Sequence, residues 1–272
     1  MYAGVDIGGT KVLAAVLDEH GQITEQLKFP TPQNYEEFLD VLAKAVANFK
    51  TREFIAAGVG MPATSIDRHE GRGLTFSNLP WLDVPIQSDL EKLFHCPVAL
   101  ENDAKLGALS EYNMLKSEFT KVLYITVSTG IGIGLVEDGL IDHSVGDSGG
   151  RIMYIEHAGN LVPWESVASG HAIVERFGKK AMDIRDDDTW KIIAHDLSRG
   201  MIELIALTEP QVIVIGGSVG TYFDRYGKFL EAELKKFETP LVKAPALRGA
   251  ARPEEAVIYG CYDYAKQLYG NA

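Results

Sequence analysis

The chain is poor in cysteine, and this scarcity limits the structures that it can form. Only Cys96 and Cys261 occur in 272 residues, far apart in sequence, and no C-x-x-C pair is present. A disulfide scaffold and a cysteine-rich zinc site are therefore not expected, and a reducing, cytoplasmic location is the natural interpretation. We expect both thiols to pack as small apolar groups.

Positive charge is also scarce, and long apolar runs are missing. The chain has 26 lysines and arginines against 38 aspartates and glutamates, a formal net charge of −12. A chain of this charge is repelled by phosphate backbones, so nucleic acid is not an expected partner. No uncharged run is long enough to cross a bilayer, and no basic segment leads the chain, so neither a membrane partner nor secretion is expected.

Alternating strand and helix patterns predict an α/β protein. Residues 34–50 place Phe38, Leu42 and Val46 on one helical stripe, whereas residues 53–62 are predicted to form an apolar strand ending in Gly and Pro. The length suits two domains of ordinary size. The most charged and glycine-rich stretch, residues 65–75, is expected to be a loop.

An internal similarity supports two related domains. Residues 2–21 and 121–139 both read as a strand, a glycine-rich turn, a second strand and an acidic turn that closes on glycine. Two copies of such a unit suggest two domains facing one cleft. We expect a smaller N-terminal domain over 1–115, a larger one over 116–255, and a final helix over 256–272 that packs back on the first domain.

Three glycine turns follow strands, at 8–10, 130–134 and 216–217. Glycine lets the backbone approach a phosphate and lets consecutive N–H groups point at it. Neither a dinucleotide-binding G-x-G-x-x-G followed by a helix nor a Walker A motif fits these turns. Each turn alone could be a plain hairpin, but the three together favour a nucleotide cleft. The predicted phosphate-binding residues are Gly8, Gly9, Thr10, Lys11, Thr129, Gly130, Gly132, Gly216 and Gly217.

Asp6 ends the strand that leads into the first glycine turn. A carboxylate in this position can cap the turn. It can also orient Mg²⁺, usually through water, because this hard cation prefers oxygen ligands and keeps part of its hydration shell. Beside a nucleotide cleft, the magnesium interpretation is favoured.

A second group of polar residues follows in "FSNLPW" at 76–81 and "LENDAKLGALSEY" at 100–112. Asn102 and Asp103 end a strand and begin a helix, so either could serve only as a helix cap. The functional interpretation makes Asp103 the base that takes a proton from an acceptor hydroxyl in phosphoryl transfer. Asn78 and Asn102 would then hydrogen-bond neighbouring hydroxyls, which suits a sugar.

The order of these motifs resembles the ROK family of bacterial sugar kinases and sugar-responsive repressors. The matching segments are DIGGTK at 6–11, GVGMP at 58–62, NLPW at 78–81, ENDAKLGALSE at 101–111, STGIGIG at 128–134, WESVASG at 164–170 and EPQVIVIGG at 209–217. The resemblance implies two actin-like ATPase (ribonuclease H-like) domains flanking a central cleft. No helix-turn-helix segment precedes the first phosphate strand, so DNA binding is not expected.

The resemblance also implies an activity, that of an ATP- and magnesium-dependent kinase similar to glucokinases and hexokinases. Such an enzyme would transfer the γ-phosphate to a hexose hydroxyl, O6, with Asp103 as the base. Glu165 lies where the family has a glutamate that contacts the sugar. A homodimer is expected on the same ground.

The chain departs from the family between residues 145 and 166. The family usually carries G-E-x-G-H and then a C-x-C-G-x-x-G-C zinc loop, whereas this segment contains no cysteine. One alignment places Asp147 and Gly150 at the motif's glutamate and histidine, and another places Arg151 and Tyr154 there; His157 could contact a sugar from another angle. We expect no zinc, a loop held by packing, and Asp147 among the sugar contacts.

The altered segment keeps a second hypothesis open. A catalytically weak or inactive sugar-binding regulatory protein, without a DNA-binding domain, would also resemble the family. Retention of Asp6, Asp103 and all three glycine turns favours the kinase. A structural ATPase of the actin type would fit the fold but would leave NLPW and ENDAK unexplained.

Overall fold

A computed structural model describes residues 1–270, which form two compact units. The N-terminal unit comprises Met1–Ser110 and the segment from Glu255 onward, and the C-terminal unit comprises Glu111–Glu254. The strands are β1 Tyr2–Ile7, β2 Lys11–Leu17, β3 Ile23–Pro30, β4 Ala56–Met61, β5 Ala63–Asp67, β6 Arg72–Phe76, β7 Leu82–Val84, β8 Val98–Asn102, β9 Lys121–Val127, β10 Ile131–Glu137, β11 Leu140–Ile141, β12 Tyr154–His157, β13 Asn160–Pro163, β14 Val212–Gly216 and β15 Ala246–Gly249. The helices are α1 Tyr35–Val46, α2 Ile86–Phe94, α3 Asp103–Leu115, α4 Glu165–Ala168, α5 Gly170–Phe177, α6 Asp187–Thr208, α7 Gly217–Gly220, α8 Phe223–Lys235 and α9 Ala256–Tyr269.

The main sheet of the N-terminal unit has the strand order β3-β2-β1-β4-β8. Strands β1, β2 and β3 run antiparallel, while β4 pairs parallel with both β1 and β8. Every residue of β4 is buried, as expected of a parallel strand that is covered on both faces. Helix α9 lies directly on β4: a Cβ on Gly58 would stand 1.9 Å from the carbonyl oxygen of Cys261. The glycines of GVGMP therefore serve helix packing here.

Helix α1 confirms the helical stripe. The Asn34 side chain caps the helix by accepting from the N–H of Glu37 (2.9 Å), and Phe38 and Leu42 are fully buried. The helix ends at Val46, a few residues before the end predicted at residue 50. Apolar burial, rather than intrinsic helix propensity, therefore attaches this helix to the sheet.

The main sheet of the C-terminal unit repeats the same plan, with the order β11-β10-β9-β14-β15. Strand β9 pairs antiparallel with β10 and parallel with β14. Helices α6 and α8 pack together in this unit, and the rings of Trp190 and Tyr226 stack at a centroid distance of 5.1 Å. The duplicated strand plan is thus present in the fold.

The expected loop at 65–75 is mostly a β-hairpin, so that prediction was wrong. Strands β5 and β6 pair antiparallel, from Ala63 opposite Phe76 to Asp67 opposite Arg72. The charged residues concentrate at the tip, where Asp67 Oδ1 accepts from the N–H groups of His69 and Glu70 at 3.0 Å each. Composition suggested a loop because the charges of a short turn dominated the count over the whole stretch.

Helix α9 ends at Tyr269, and the last two positions of the helix predicted over 256–272 lie outside the described residues. Cys261 is buried and Cys96 half-buried, and burial raises the pKa of both thiols. Within residues 1–270, no helix has the length and apolar character needed to span a bilayer.

Candidate active site

The first glycine turn connects β1 to β2 and is held by Thr31, a buried residue that directly follows β3. The Gly8 N–H donates to the carbonyl oxygen of Lys11 (2.9 Å), which closes the turn. The Thr31 hydroxyl donates to the Gly8 carbonyl (2.7 Å), and its N–H donates to the Thr10 carbonyl (3.1 Å). Gly8 and Gly9 are half-buried, whereas Thr10 and Lys11 are exposed. The turn is therefore ordered without blocking its outer face.

Asp6 lies near the end of β1, half-buried. Its carboxylate accepts no hydrogen bond from any residue between 1 and 270. Burial, and then the charge of Asp103, raise its pKa to about 7, while the charges of Lys11 and Lys28 act in the opposite direction. A desolvated carboxylate beside a second carboxylate favours binding of a cation, because a cation compensates the lost hydration of both groups.

Asp103 is the first residue of α3, directly after β8. Asn102 caps this helix: its Oδ1 accepts from the N–H groups of Ala104 (3.0 Å) and Lys105 (3.3 Å), and its Nδ2 donates to the Ala63 carbonyl (3.0 Å). Asp103 Oδ1 also accepts from the Ala104 N–H (2.7 Å). Burial raises the pKa of Asp103 to about 6, partly offset by this hydrogen bond. Asn102 is thus the cap, and Asp103 has the pKa of a usable base.

Asn78 lies against the first glycine turn. The next residues anchor it, because Leu79 and Trp81 are buried and the Trp81 indole N–H donates to the Gln33 carbonyl (3.1 Å). Asn78 itself is exposed, and a Cβ on Gly9 would lie only 2.6 Å from the Asn78 Cβ. The NLPW segment therefore buries its apolar residues and presents its amide beside the turn.

In the C-terminal unit, the glycine turns at 128–130 and 216–217 pack against each other through Ser128. The Ser128 N–H donates to the Gly130 carbonyl (2.9 Å), and its hydroxyl oxygen accepts from the Ser218 N–H (3.1 Å). Gly217 has φ 78°, and a Cβ there would lie 2.6 Å from Ser128 Oγ. Only glycine fits this position, and Thr129 remains exposed above the turn.

Glu165 lies directly on the 128–130 turn. Its Oε2 accepts from the Ile131 N–H (2.8 Å), and the Arg151 Nε donates to its Oε1 (3.4 Å). A Cβ on Gly130 would stand 2.3 Å from Glu165 Oε2. The glutamate predicted to contact the sugar thus shapes the 128–130 glycine turn, a contact that the sequence did not indicate.

The segment that departs from the family pattern packs on the start of β10. A Cβ on Gly149 would lie 2.3 Å from the Ile131 carbonyl oxygen, and Gly150 lies against the side chains of Ile131 and Trp164. Trp164 is fully buried and donates its indole N–H to the Asp196 carbonyl (3.0 Å). Over residues 1–270, no group of three or more His, Cys, Asp and Glu side chains could hold a metal ion.

The remaining candidates of this segment are dispersed. Asp147 is half-buried just before the short 3-10 turn Gly149–Arg151. Tyr154 and His157 belong to β12, and Tyr154 is largely exposed. The glycine turn predicted at 130–134 was wrong in its extent, because residues from Ile131 onward belong to β10 and Gly132 pairs there with Thr126.

The predicted residues divide between the two units. The N-terminal unit brings together Asp6, the Gly8–Lys11 turn, Asn78, Asn102 and Asp103. The C-terminal unit brings together Thr129, Gly130, Gly132, Gly216, Gly217 and Glu165, with Asp147 nearby in sequence. A family model described as "ROK family" matches residues 2–267. The chain belongs to the ROK family. Its mixed α/β units have the actin-like ATPase fold of that family's sugar kinases.

Curated relatives of this ROK-family chain include N-acetylmannosamine kinases. The one from Shigella boydii serotype 18 is 32% identical over 273 residues, covering 88% of this chain and 91% of that protein. The one from Escherichia coli strain SMS-3-5 is 32% identical over 272 residues, covering 89% and 88%.

Solved structures of the family are similar over almost the whole chain. The ROK hexokinase from Thermus thermophilus is 27% identical with a TM-score of 0.74, covering 100% of this chain and 99% of that chain. A ROK glucokinase from Streptomyces griseus, solved with glucose and AMPPNP, has a TM-score of 0.80 at 23% identity, covering 98% and 99%. At that identity the second likeness concerns the fold alone.

Sequence reasoning missed two residues that support the site. Glu101, next to Asn102, is completely buried and paired with Arg68. The available signal was a charged residue at the end of an otherwise apolar strand, "PVALE", since buried charges require a partner.

Proposed function

We propose that this ROK-family chain is an ATP-dependent sugar kinase that transfers the γ-phosphate to a hexose-type hydroxyl, O6. The observation that carries the proposal is the grouping of Asp6, Asp103 and Asn78 around one glycine turn within the N-terminal unit. The relatives support the sugar kinase class, because those described above are kinases of N-acetylmannosamine and of hexoses.

Asp103 is the proposed base. With a pKa of about 6 it is mostly ionised at neutral pH and still basic enough to accept a hydroxyl proton as that oxygen attacks phosphorus. Its position is set by the helix start, because Asn102 caps α3 and Asp103 shares the Ala104 N–H. Phosphoryl transfer depends chiefly on such positioning and on charge stabilisation.

Asp6 is the residue that would hold magnesium, through water. The fit rests on its lack of a hydrogen-bond donor within residues 1–270 and on its desolvation beside Asp103. The ion would supply positive charge at the phosphates. The glycine turns would bind those phosphates through backbone N–H groups, aided by Thr10, Lys11 and Thr129.

Sugar recognition is assigned to Asn78, Asn102, Asp147 and Glu165, together with Asp103. Asn78 is exposed and available, whereas Asn102 already uses its oxygen and one amide hydrogen within the protein. Its part in binding would therefore rest on its second amide hydrogen. Glu165 would contact sugar while keeping its bond to the Ile131 N–H.

The deciding experiment is a kinase screen with an ADP-coupled assay. N-acetylmannosamine is the first substrate to test, because the curated relatives described above are kinases of this sugar. Glucose, mannose, fructose, allose and N-acetylglucosamine complete the panel. Polyphosphate belongs beside ATP as donor, because a polyphosphate/ATP-glucomannokinase from Arthrobacter is 26% identical with a TM-score of 0.72. The proposal would be refuted if a folded protein that binds ATP showed no turnover with any combination of sugar and phosphate donor.

The second candidate, a sugar-binding regulator without turnover, is motivated by the altered 145–166 segment. Calorimetric titration with the same sugars separates the two functions: sugar binding without ADP formation favours the regulator. Zinc is not part of either proposal, and elemental analysis that found one zinc ion per chain would contradict this. A homodimer, proposed from the family resemblance, is tested by light scattering.

A further inference from the structure

The hairpin β5–β6 is attached to the segment that carries the proposed base. At its start, the Ala63 carbonyl accepts from Asn102 Nδ2 (3.0 Å). At its tip, Arg68 pairs with Glu101, the residue before Asn102 in β8. Strand β5 is therefore linked to the last two residues of β8 in two places, through its first residue, Ala63, and through Arg68, which directly follows its last residue.

The Arg68–Glu101 pair is a two-pronged contact with a buried carboxylate. Arg68 Nε donates to Glu101 Oε2 (2.9 Å), and a terminal guanidinium nitrogen donates to Oε1. Glu101 Oε1 also accepts from the Asn102 N–H (2.7 Å), so the same carboxylate orients the peptide that leads to Asp103. The Glu101 side chain is 0% exposed and that of Arg68 is 30% exposed. A carboxylate so deeply buried needs its charged partner, and planar guanidinium satisfies both oxygens at once.

The same hairpin continues into the proposed sugar contact. Strand β6 ends at Phe76, the Ser77 N–H donates to the Pro62 carbonyl (2.9 Å), and Asn78 follows. The hairpin thus joins the asparagine beside the glycine turn to β8, the strand that directly precedes the proposed base. A shift of about 1 Å in such an arrangement can lower a rate about 100-fold.

We propose that Arg68 is a positioning residue for phosphoryl transfer, acting through Glu101 to set the orientation of Asn102 and Asp103 relative to Asn78. The inference rests on the proposed function for its kinetic consequence, but the contacts can be tested without turnover. Arg68 touches neither substrate nor phosphate in this proposal.

The chain offers a matched control on the same hairpin. Arg72 pairs with Asp83 through Nε and Oδ1 at 2.7 Å, and its side chain is 33% exposed, close to the value for Arg68. Its partner Asp83 is 60% exposed, so the Asp83 carboxylate stays solvated without Arg72 and the ion pair contributes little. Arg68→Met and Arg72→Met therefore remove the same guanidinium group from the same hairpin. They differ in the carboxylate that loses its partner, which is buried in Glu101 and exposed in Asp83.

The experiment compares both variants with the parent chain by steady-state kinetics and by NMR hydrogen exchange. We expect Arg68→Met to lower kcat by about 10- to 100-fold with the KM for ATP nearly unchanged, and Arg72→Met to keep kcat within about twofold. We also expect faster exchange of the Ala104 and Lys105 N–H groups, which Asn102 caps, in Arg68→Met only.

Arg68→Lys and the double variant Arg68→Met/Glu101→Gln cover the case in which Arg68→Met does not fold. Lysine keeps the charge without the planar fork, and the double variant removes the unpaired buried charge. We expect both to fold with a reduced kcat. Parent-like kcat in either folded variant, or equal losses in the Arg68 and Arg72 variants, would overturn the proposal. If the parent chain has no kinase activity, the proposed function fails, and unchanged exchange at Ala104 and Lys105 would separately overturn the positioning role.

Discussion

The two main sheets have the same strand order, but they carry different residue types near the end of their first strands. In the N-terminal unit, Asp6 pairs across the sheet with Leu13 and Gly60. In the C-terminal unit, Thr126 holds the corresponding place, paired with Gly132 and Gly216. The duplicated frame therefore carries an acid in one copy and a hydroxyl in the other.

The carboxylates near the two glycine turns also differ in their partners. Asp6 has no hydrogen-bond donor within residues 1–270, and its pKa is raised by burial and by Asp103. Glu165 accepts from the Ile131 N–H and from Arg151. The shared strand order therefore supplies a glycine turn in each sheet. The hydrogen-bond partners of the nearby acid then decide its role: an acid without a donor can bind a cation, whereas one that accepts hydrogen bonds from the turn stabilises the turn.

The strongest test of this asymmetry is the removal of the proposed base. Asp103→Asn should lower kcat by about 10²- to 10⁴-fold, because an amide in place of the carboxylate cannot accept the hydroxyl proton. ATP affinity, measured by calorimetry with a non-hydrolysable analogue, should change little. Near-normal turnover in this variant would remove Asp103 from the mechanism.

The next test replaces, one at a time, the corresponding residues of the two sheets. Asp6→Asn should raise the magnesium concentration that gives half-maximal rate by about 10- to 100-fold, since the residue would act on the ion through water. Thr126→Val is the matched variant in the other sheet and should have the smaller effect. Equal magnesium dependence in both variants would show that the acid has no special role.

The pH dependence of the rate sharpens the same comparison. With magnesium saturating, the rate should fall about fivefold between pH 6 and pH 5, because protonation of Asp103, whose pKa is raised to about 6, removes the base. The unfolded chain loses this proton nearer pH 3.8, so the group lowers stability as pH rises from there to about 6. Asp103→Asn should abolish this part of the pH dependence of unfolding, and a rate independent of pH down to 5 would contradict the assignment.

The smallest effects are expected at Glu165 and Arg151. Glu165→Gln keeps an acceptor for the Ile131 N–H but loses the charge, so the KM for sugar should rise only several-fold, an effect of about 1 kcal/mol. Arg151→Met should change it less, because that pair is 3.4 Å apart and its arginine is 43% exposed. The variants are compared by sugar-dependent kinetics, and a large fall in kcat at unchanged KM would place Glu165 in the chemical step.

Several parts of the site could be predicted because their cause is local. The glycine turns follow strands in the sequence itself, and Asn102–Asp103 stands where an apolar strand gives way to a helix. The hairpin β5–β6 and the contact of Glu165 with the 128–130 turn could not be predicted in this way. Each depends on pairing between residues distant in sequence, which spacing and composition do not record.

By itself, the sequence determined the α/β class, the duplicated strand–turn–strand unit, the family and most candidate residues, because periodicity, glycine placement and motif order are properties of the chain. Tertiary structure alone decided which acids are available. Asp6 and Asp103 acquire raised pKa values from burial, and Glu101 acquires Arg68 as a partner. Desolvation and ion pairing arise only when distant segments pack, so residues of the same type receive different properties.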